Sequence, residues 1–174
     1  LFPFIHKNLS FSADQKGSPK IILIASSAVR CADLFKYGIS PSNLCVKLIS
    51  VNRSCKEIHQ KVKIGKLFAK HFKVSEQEEF LQKEVVHIVV GTPNRIETLI
   101  KNGALQLNQV NTHIHNSNWI ISECFLIQCE YVIFDTWKNV KGFSLFEVRE
   151  VAKDLSSLLQ HKIITNKTIK FAFV

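Results

Sequence analysis

Three short polar clusters, each directly after an apolar run, hold the residue types that could act on a ligand. They are Ser26-Ser27 after Ile21 to Ala25, Thr92-Pro93-Asn94-Arg95 after His87 to Val90, and Asp135 after Tyr131 to Phe134. The second is the most complete. Gly91 ends the apolar run, Thr92 is expected to cap a helix, and Pro93 suits the first helical position, where no backbone donor is needed. Ile96, Leu99 and Ile100 keep helical spacing, and Asn102-Gly103 supplies the stop. Such a helix start offers amides to an anion such as a phosphate, and a side-chain cap is worth about 1 kcal/mol. The same residues serve equally as a plain capped helix with a solvated arginine. Asp135 adds a carboxylate at a strand end, and Ser26-Ser27 adds capping hydroxyls.

Other chemistry is thinner. The five cysteines, Cys31, Cys45, Cys55, Cys124 and Cys129, show no paired CxxC spacing and read as reduced, intracellular thiols. Cys55 and His59 could share a helix face, but without a second pair they read as ordinary packing or surface residues; no metal site is expected. Gly65-Lys66 is the only Gly-Lys pair. Gln60 stands where a phosphate-binding loop needs its earlier glycine, and Leu67 replaces the hydroxyl residue, so it is no P-loop.

The elements that must position these clusters follow from periodicity. Ile21 to Ala25 reads as a buried strand, and Val29, Ala32, Leu34 and Phe35 lie on a helix ending near Gly38. Possible strands at Val46 to Val51 and around Val62-Lys63-Ile64 flank a basic segment, Arg53 to Lys61. A helix spans Val74 to Lys83, its acidic first turn suiting the helix dipole. The strand before Gly91 is followed by the helix described above, and Tyr131 to Asp135 forms another buried strand. Phe146, Val148, Val151, Leu155, Leu158 and Leu159 mark a long helix, and Thr168 to Val174 a last strand. This alternation implies an α/β fold with right-handed crossovers and a mostly parallel sheet, which gathers the three clusters on one rim.

The whole chain, 174 residues and 46% hydrophobic, suits a single domain, residues 1–174. It contains no methionine and opens at Leu1-Phe2-Pro3-Phe4 in what looks like structure, so it reads as N-terminally truncated. The formal charge of +9 points to an anionic partner, nucleic acid before membrane surface. No apolar run approaches the roughly 18 residues of a membrane span. No membrane partner is expected.

The order and spacing of Ser26-Ser27-Ala28, Thr92-Pro93-Asn94-Arg95 and Asp135-Thr136-Trp137-Lys138 resemble the first RecA-like domain of DEAD-box RNA helicases. Lys66 to Val74, Val85-Val86-His87, Gly91-Thr92-Pro93 and Ser27-Ala28-Val29-Arg30 are similar to the Cms family of helicase-like proteins in small-subunit ribosome biogenesis. The resemblance covers residues 19–104 and 130–174. It implies a three-layer RecA-like, P-loop-NTPase-like α/β domain, here without a recognisable P-loop. It also implies RNA-backbone contacts at Thr92, Pro93, Asn94, Arg95 and Ser27. Lys70-His71 fall where the helicases carry a glycine doublet, and Arg30 could replace the arginine lost at Ala28.

The departures bear on catalysis. Thr136 stands where the helicase box has its glutamate and Lys138 where it has its last aspartate, so Asp135-Thr136-Trp137-Lys138 is a degenerate box and Asp135 reads as structural. Asn94 in place of a glycine weakens close backbone approach. The expectation is a non-enzyme without cofactor, acting in the nucleus and nucleolus in pre-rRNA processing. Its partners would be pre-rRNA or other RNA and preribosomal small-subunit assembly proteins. The alternatives are an active ATP-dependent RNA helicase truncated of its P-loop, or a pure protein-interaction scaffold.

Residues 110–128 depart from the Cms pattern, which passes almost directly from loop to strand there. A polar run, Asn111 to Asn118, joins an apolar run, Trp119 to Ile127, with little turn chemistry. The segment reads as an insertion or a retained in-frame intron, and no function is assigned to it.

Overall fold

The computed structural model describes residues 16–38, 63–69, 72–111, 124–127, 129–160 and 169–173. In chain order the elements are β1 (Ile21–Ile24), α1 (Ala28–Asp33), β2 (Ile64–Leu67), α2 (Val74–Lys83), β3 (Ile88–Gly91) and α3 (Pro93–Lys101). Then come β4 (Asn108–Asn111), β5 (Cys124–Ile127), β6 (Tyr131–Phe134), α4 (Arg149–Gln160) and β7 (Lys170–Phe173). A π-helical turn, Leu34–Gly38, extends α1.

Five strands form one sheet in the order β2-β3-β1-β6-β7, every neighbouring pair parallel. The inner strands β3, β1 and β6 are buried at every position, as apolar strands covered on both faces must be. Ile22, Ile24, Val89, Val132 and Phe134 pack with Leu81 of α2, Ile96 and Leu99 of α3 and Leu155 and Leu158 of α4. On the opposite face Ile21, Leu23, Ile88, Val90 and Ile133 pack with Cys31 and Leu34. Each fully buried Ile or Leu contributes roughly 1.5–3 kcal/mol by leaving water.

Registers align the strand ends. Leu67, Gly91, Ile24, Phe134 and Phe173 form the last row across the sheet. The next residues after β3, β1 and β6 are Thr92, Ala25 and Asp135, so the expected common rim is present.

Several boundaries differ from the expectation. The strand expected around Val62-Lys63-Ile64 lies at Ile64–Leu67, because Lys63 is the anchor before it: its N–H donates to His87 Nδ1 at 3.1 Å, and its carbonyl accepts the His87 amide at 3.0 Å. Gly65 then sits where a Cβ would stand 3.0 and 3.2 Å from the side chains of Val86 and Val89. The last helix begins at Arg149, after Phe146 and Val148. A turn precedes it, in which the Ser144 amide donates to Glu147 Oε2 at 2.7 Å. The final strand is confined to Lys170–Phe173 among the described residues. The expected strand at Val46 to Val51 and the basic segment Arg53 to Lys61 lie outside the described residues.

The described residues of the 110–128 segment lie in β4 and β5. β4 and β5 pair antiparallel from Asn108↔Ile127 to Asn111↔Cys124, as a two-stranded sheet separate from the main one.

Candidate functional site

The rim after β1 and β6 is built around one ion pair. Ser27 caps α1, its hydroxyl accepting the Arg30 amide at 3.2 Å, and this fixes the first turn that carries Arg30. Arg30 then donates from Nε to Asp135 Oδ2 at 2.8 Å and from Nη2 to Oδ1 at 3.0 Å. The Asp135 side chain is 3% exposed and that of Arg30 21%. Asp135 is itself fixed by its own amide, which donates to the Ile24 carbonyl at 2.9 Å. Such a fork-to-fork pair satisfies both carboxylate oxygens with fixed geometry. The Arg30 guanidinium also lies 4.8 Å from the centre of the Trp137 ring. Trp137 is 46% exposed, and Thr136 and Lys138 beside it are exposed. Burial, with Asp135 adding to it, pushes the Cys31 thiol up to about 12, which makes it a packing residue rather than a nucleophile.

The second part of the rim follows β3. Gly91 is required by close approach: a Cβ there would stand 2.5 Å from the Leu67 carbonyl oxygen and 2.9 Å from Ile96. Thr92 occupies the cap position of α3 with extended backbone, but its side chain makes no cap hydrogen bond, contrary to the expectation. The start is set instead by its backbone and by Pro93. The Thr92 amide donates to Leu67 at 3.3 Å, its carbonyl accepts the Ile96 amide at 3.1 Å, and Pro93 is buried in the first turn. The far end matches: Gly103 has φ +73°, its amide bonds Ile100, and the Ala104 amide bonds Leu99.

Arg95 points inward as well as along the rim. Its Nη1 donates to the Phe72 carbonyl at 3.1 Å and to Gln77 Oε1 at 2.9 Å. Gln77, 3% exposed, donates through Nε2 to the carbonyls of Lys66 and Phe68 at 2.8 and 3.2 Å. This glutamine ties α2 and α3 to the end of β2. The sequence reading missed it, since only its position on the apolar side of an acidic helix marks it. Asn94 is exposed; Lys70 and His71 lie outside the described residues.

The structure thus brings Ser27, Arg30, Asp135 and Trp137 into one cluster, and Thr92, Pro93 and Arg95 into the joint between β3 and α3. Arg30, expected as a phosphate contact, has two of its nitrogens on Asp135. Among the described residues no group of three or more His, Cys, Asp or Glu side chains could hold a metal ion, and no helix is long and apolar enough to cross a membrane.

A parallel five-stranded sheet with polar residues at the carboxyl ends of its strands defines an open α/β protein. The chain belongs to the CMS1 family, described as a U3-containing 90S pre-ribosomal complex subunit, whose family model matches residues 1–171. It is 30% identical over 152 residues to Protein CMSS1 of Homo sapiens, covering 87% of this chain and 42% of the relative. It is 29% identical over 157 residues to Protein CMSS1 of Xenopus laevis, covering 90% and 44%. To Protein CMS1 of Chaetomium thermophilum it is 32% identical over 115 residues, covering 66% and 39%. The chain therefore spans less than half the length of these relatives.

Proposed function

We propose that this chain is a non-catalytic, RecA-like part of a small-subunit preribosome assembly factor that acts in the nucleolus by binding pre-rRNA or the preribosome. Membership of a family described as a 90S pre-ribosomal complex subunit supports the setting. The observation that carries the non-catalytic reading is the Arg30–Asp135 fork. Both oxygens of the one carboxylate left from the degenerate box are occupied by a guanidinium, and the neighbouring positions are Thr136 and Lys138. A Mg²⁺ ion would compete with Arg30 for this carboxylate, and Thr136 stands where the box has the glutamate that polarises an attacking water.

Binding of an RNA backbone needs only amides, hydroxyls and positive charge. The first amides of α3, on Asn94 and Arg95, have no intrahelical acceptor, and Thr92 does not cap them. The chain's charge of +9 has the right sign. The test is the affinity of the full-length protein for single-stranded RNA as a function of salt. Phosphate contacts give a falling affinity whose log–log slope is roughly −0.7 per phosphate neutralised. An affinity independent of salt would reject the reading.

A further inference from the structure

We infer that the outward face of Trp137 is a stacking platform for an unpaired nucleobase, held in place by the Asp135–Arg30 pair; this rests on the RNA-binding reading above. Three observations carry it. First, Arg30 is oriented by two bonds to a buried carboxylate and covers the indole from the protein side at 4.8 Å, while the ring stays 46% exposed. A rigid, cation-backed aromatic ring on a surface is the feature on which single-stranded nucleic acids stack, whatever their sequence. Second, it is flanked in the chain by Thr136 and Lys138, both exposed, a hydroxyl and a cation of the kinds that suit a charged polymer.

Third, the chain leaving Trp137 turns directly into an open cleft of about 590 Å³ whose lining includes Asn139, Lys141, Phe143 and Arg149. Asn139 shapes it: its Oδ1 accepts the amides of Lys141 and Phe143 at 2.9 and 3.0 Å, and Gly142 takes φ +82°. Phe143 is 48% exposed, so the cleft that follows Trp137 in the chain offers a second aromatic and two cations, beside the apolar Val140 and Val148. Glu147 also lines the cleft; its carboxylate accepts the Ser144 amide, which lowers its pKa and keeps it anionic, so it offsets part of the positive charge of Lys141 and Arg149. The carboxylate of the box, unable to serve phosphoryl chemistry, thereby acquires a second use as the clamp that orients Arg30 beneath the ring.

The test uses the full-length protein and two labelled 12-nucleotide RNAs, oligouridylate and its abasic counterpart, compared by anisotropy at one salt concentration. Trp137→Ala is expected to weaken oligouridylate binding by about tenfold, within the range of a lost base–aromatic stack, and to leave abasic binding unchanged. Trp137→Phe, which keeps a platform, is expected to retain most of the affinity, and this separates stacking from a folding defect. Equal losses on both RNAs, or no loss on either, would overturn the platform while leaving RNA binding by the protein intact. Absence of RNA binding by the wild type would reject both. A protein partner lost with Trp137→Ala, while oligouridylate affinity is kept, would assign the surface to protein and overturn the proposal.

Discussion

Arg30 decides how Asp135 is to be understood. A carboxylate 3% exposed needs a partner, and the guanidinium that supplies it sits on α1, 105 residues away in sequence. Removing one member of a buried pair leaves the other charge uncompensated, at a cost of about 3–5 kcal/mol, whereas replacing both by apolar residues is often nearly neutral. Arg30→Ala is therefore expected to lower unfolding free energy by about 3 kcal/mol in denaturant titration. Arg30→Met with Asp135→Leu should recover most of that loss. Equal destabilisation by the single and the double change would show that the pair is not the stabilising unit. This partnership was not legible in the sequence: Asp135 could be read as structural, but nothing in residue types or spacing links positions 30 and 135. Gln77 escaped for the same reason, because its acceptors are backbone carbonyls, which leave no signature in a sequence.

The elements themselves were more legible, because burial on both faces demands runs that periodicity reveals. β1, β3 and β6 lie where continuous apolar runs placed them, and α2 spans Val74–Lys83 as its pattern required. The edge strand β2 was displaced because it pairs on one side only and carries a weaker, alternating pattern. Gly91 shows how a residue can be read correctly for part of its reason. The sequence marks a break, whereas the structure shows the strand continuing through Gly91 and the Leu67 carbonyl oxygen occupying the space of a side chain. Gly91→Ala is expected to cost about 1–3 kcal/mol, as overpacking of a close-packed joint does, and thermal unfolding measures it. A variant as stable as the wild type would mean that β2 and α3 can separate without penalty. Thr92 was the clearest misreading of local grammar, since cap chemistry predicts a hydroxyl bond that the backbone tie to Leu67 and the fixed φ of Pro93 make unnecessary.

For the molecule as a whole, sheet order converts three separated sequence clusters into one surface. β3, β1 and β6 are neighbours, so Thr92 to Arg95, Ser26-Ser27 and Asp135 to Lys138 follow adjacent strand ends. β4 and β5, which hold the described residues of the 110–128 segment together with Asn108 and Gln109, pair with each other on a sheet of their own. Glu97 joins the helical layer, accepting the Ser157 hydroxyl at 2.6 Å and pairing with Lys101 at 2.5 Å, which couples α3 to α4 beneath the rim. A rim supported in this way has its box carboxylate paired with Arg30, and the proposed non-catalytic reading rests on that pair. The most direct test is ATP turnover by the full-length protein, with and without saturating single-stranded RNA, alongside Asp135→Asn. The expected result is no RNA-stimulated phosphate release from either protein; RNA-stimulated release by the wild type that disappears in Asp135→Asn would contradict the non-catalytic reading.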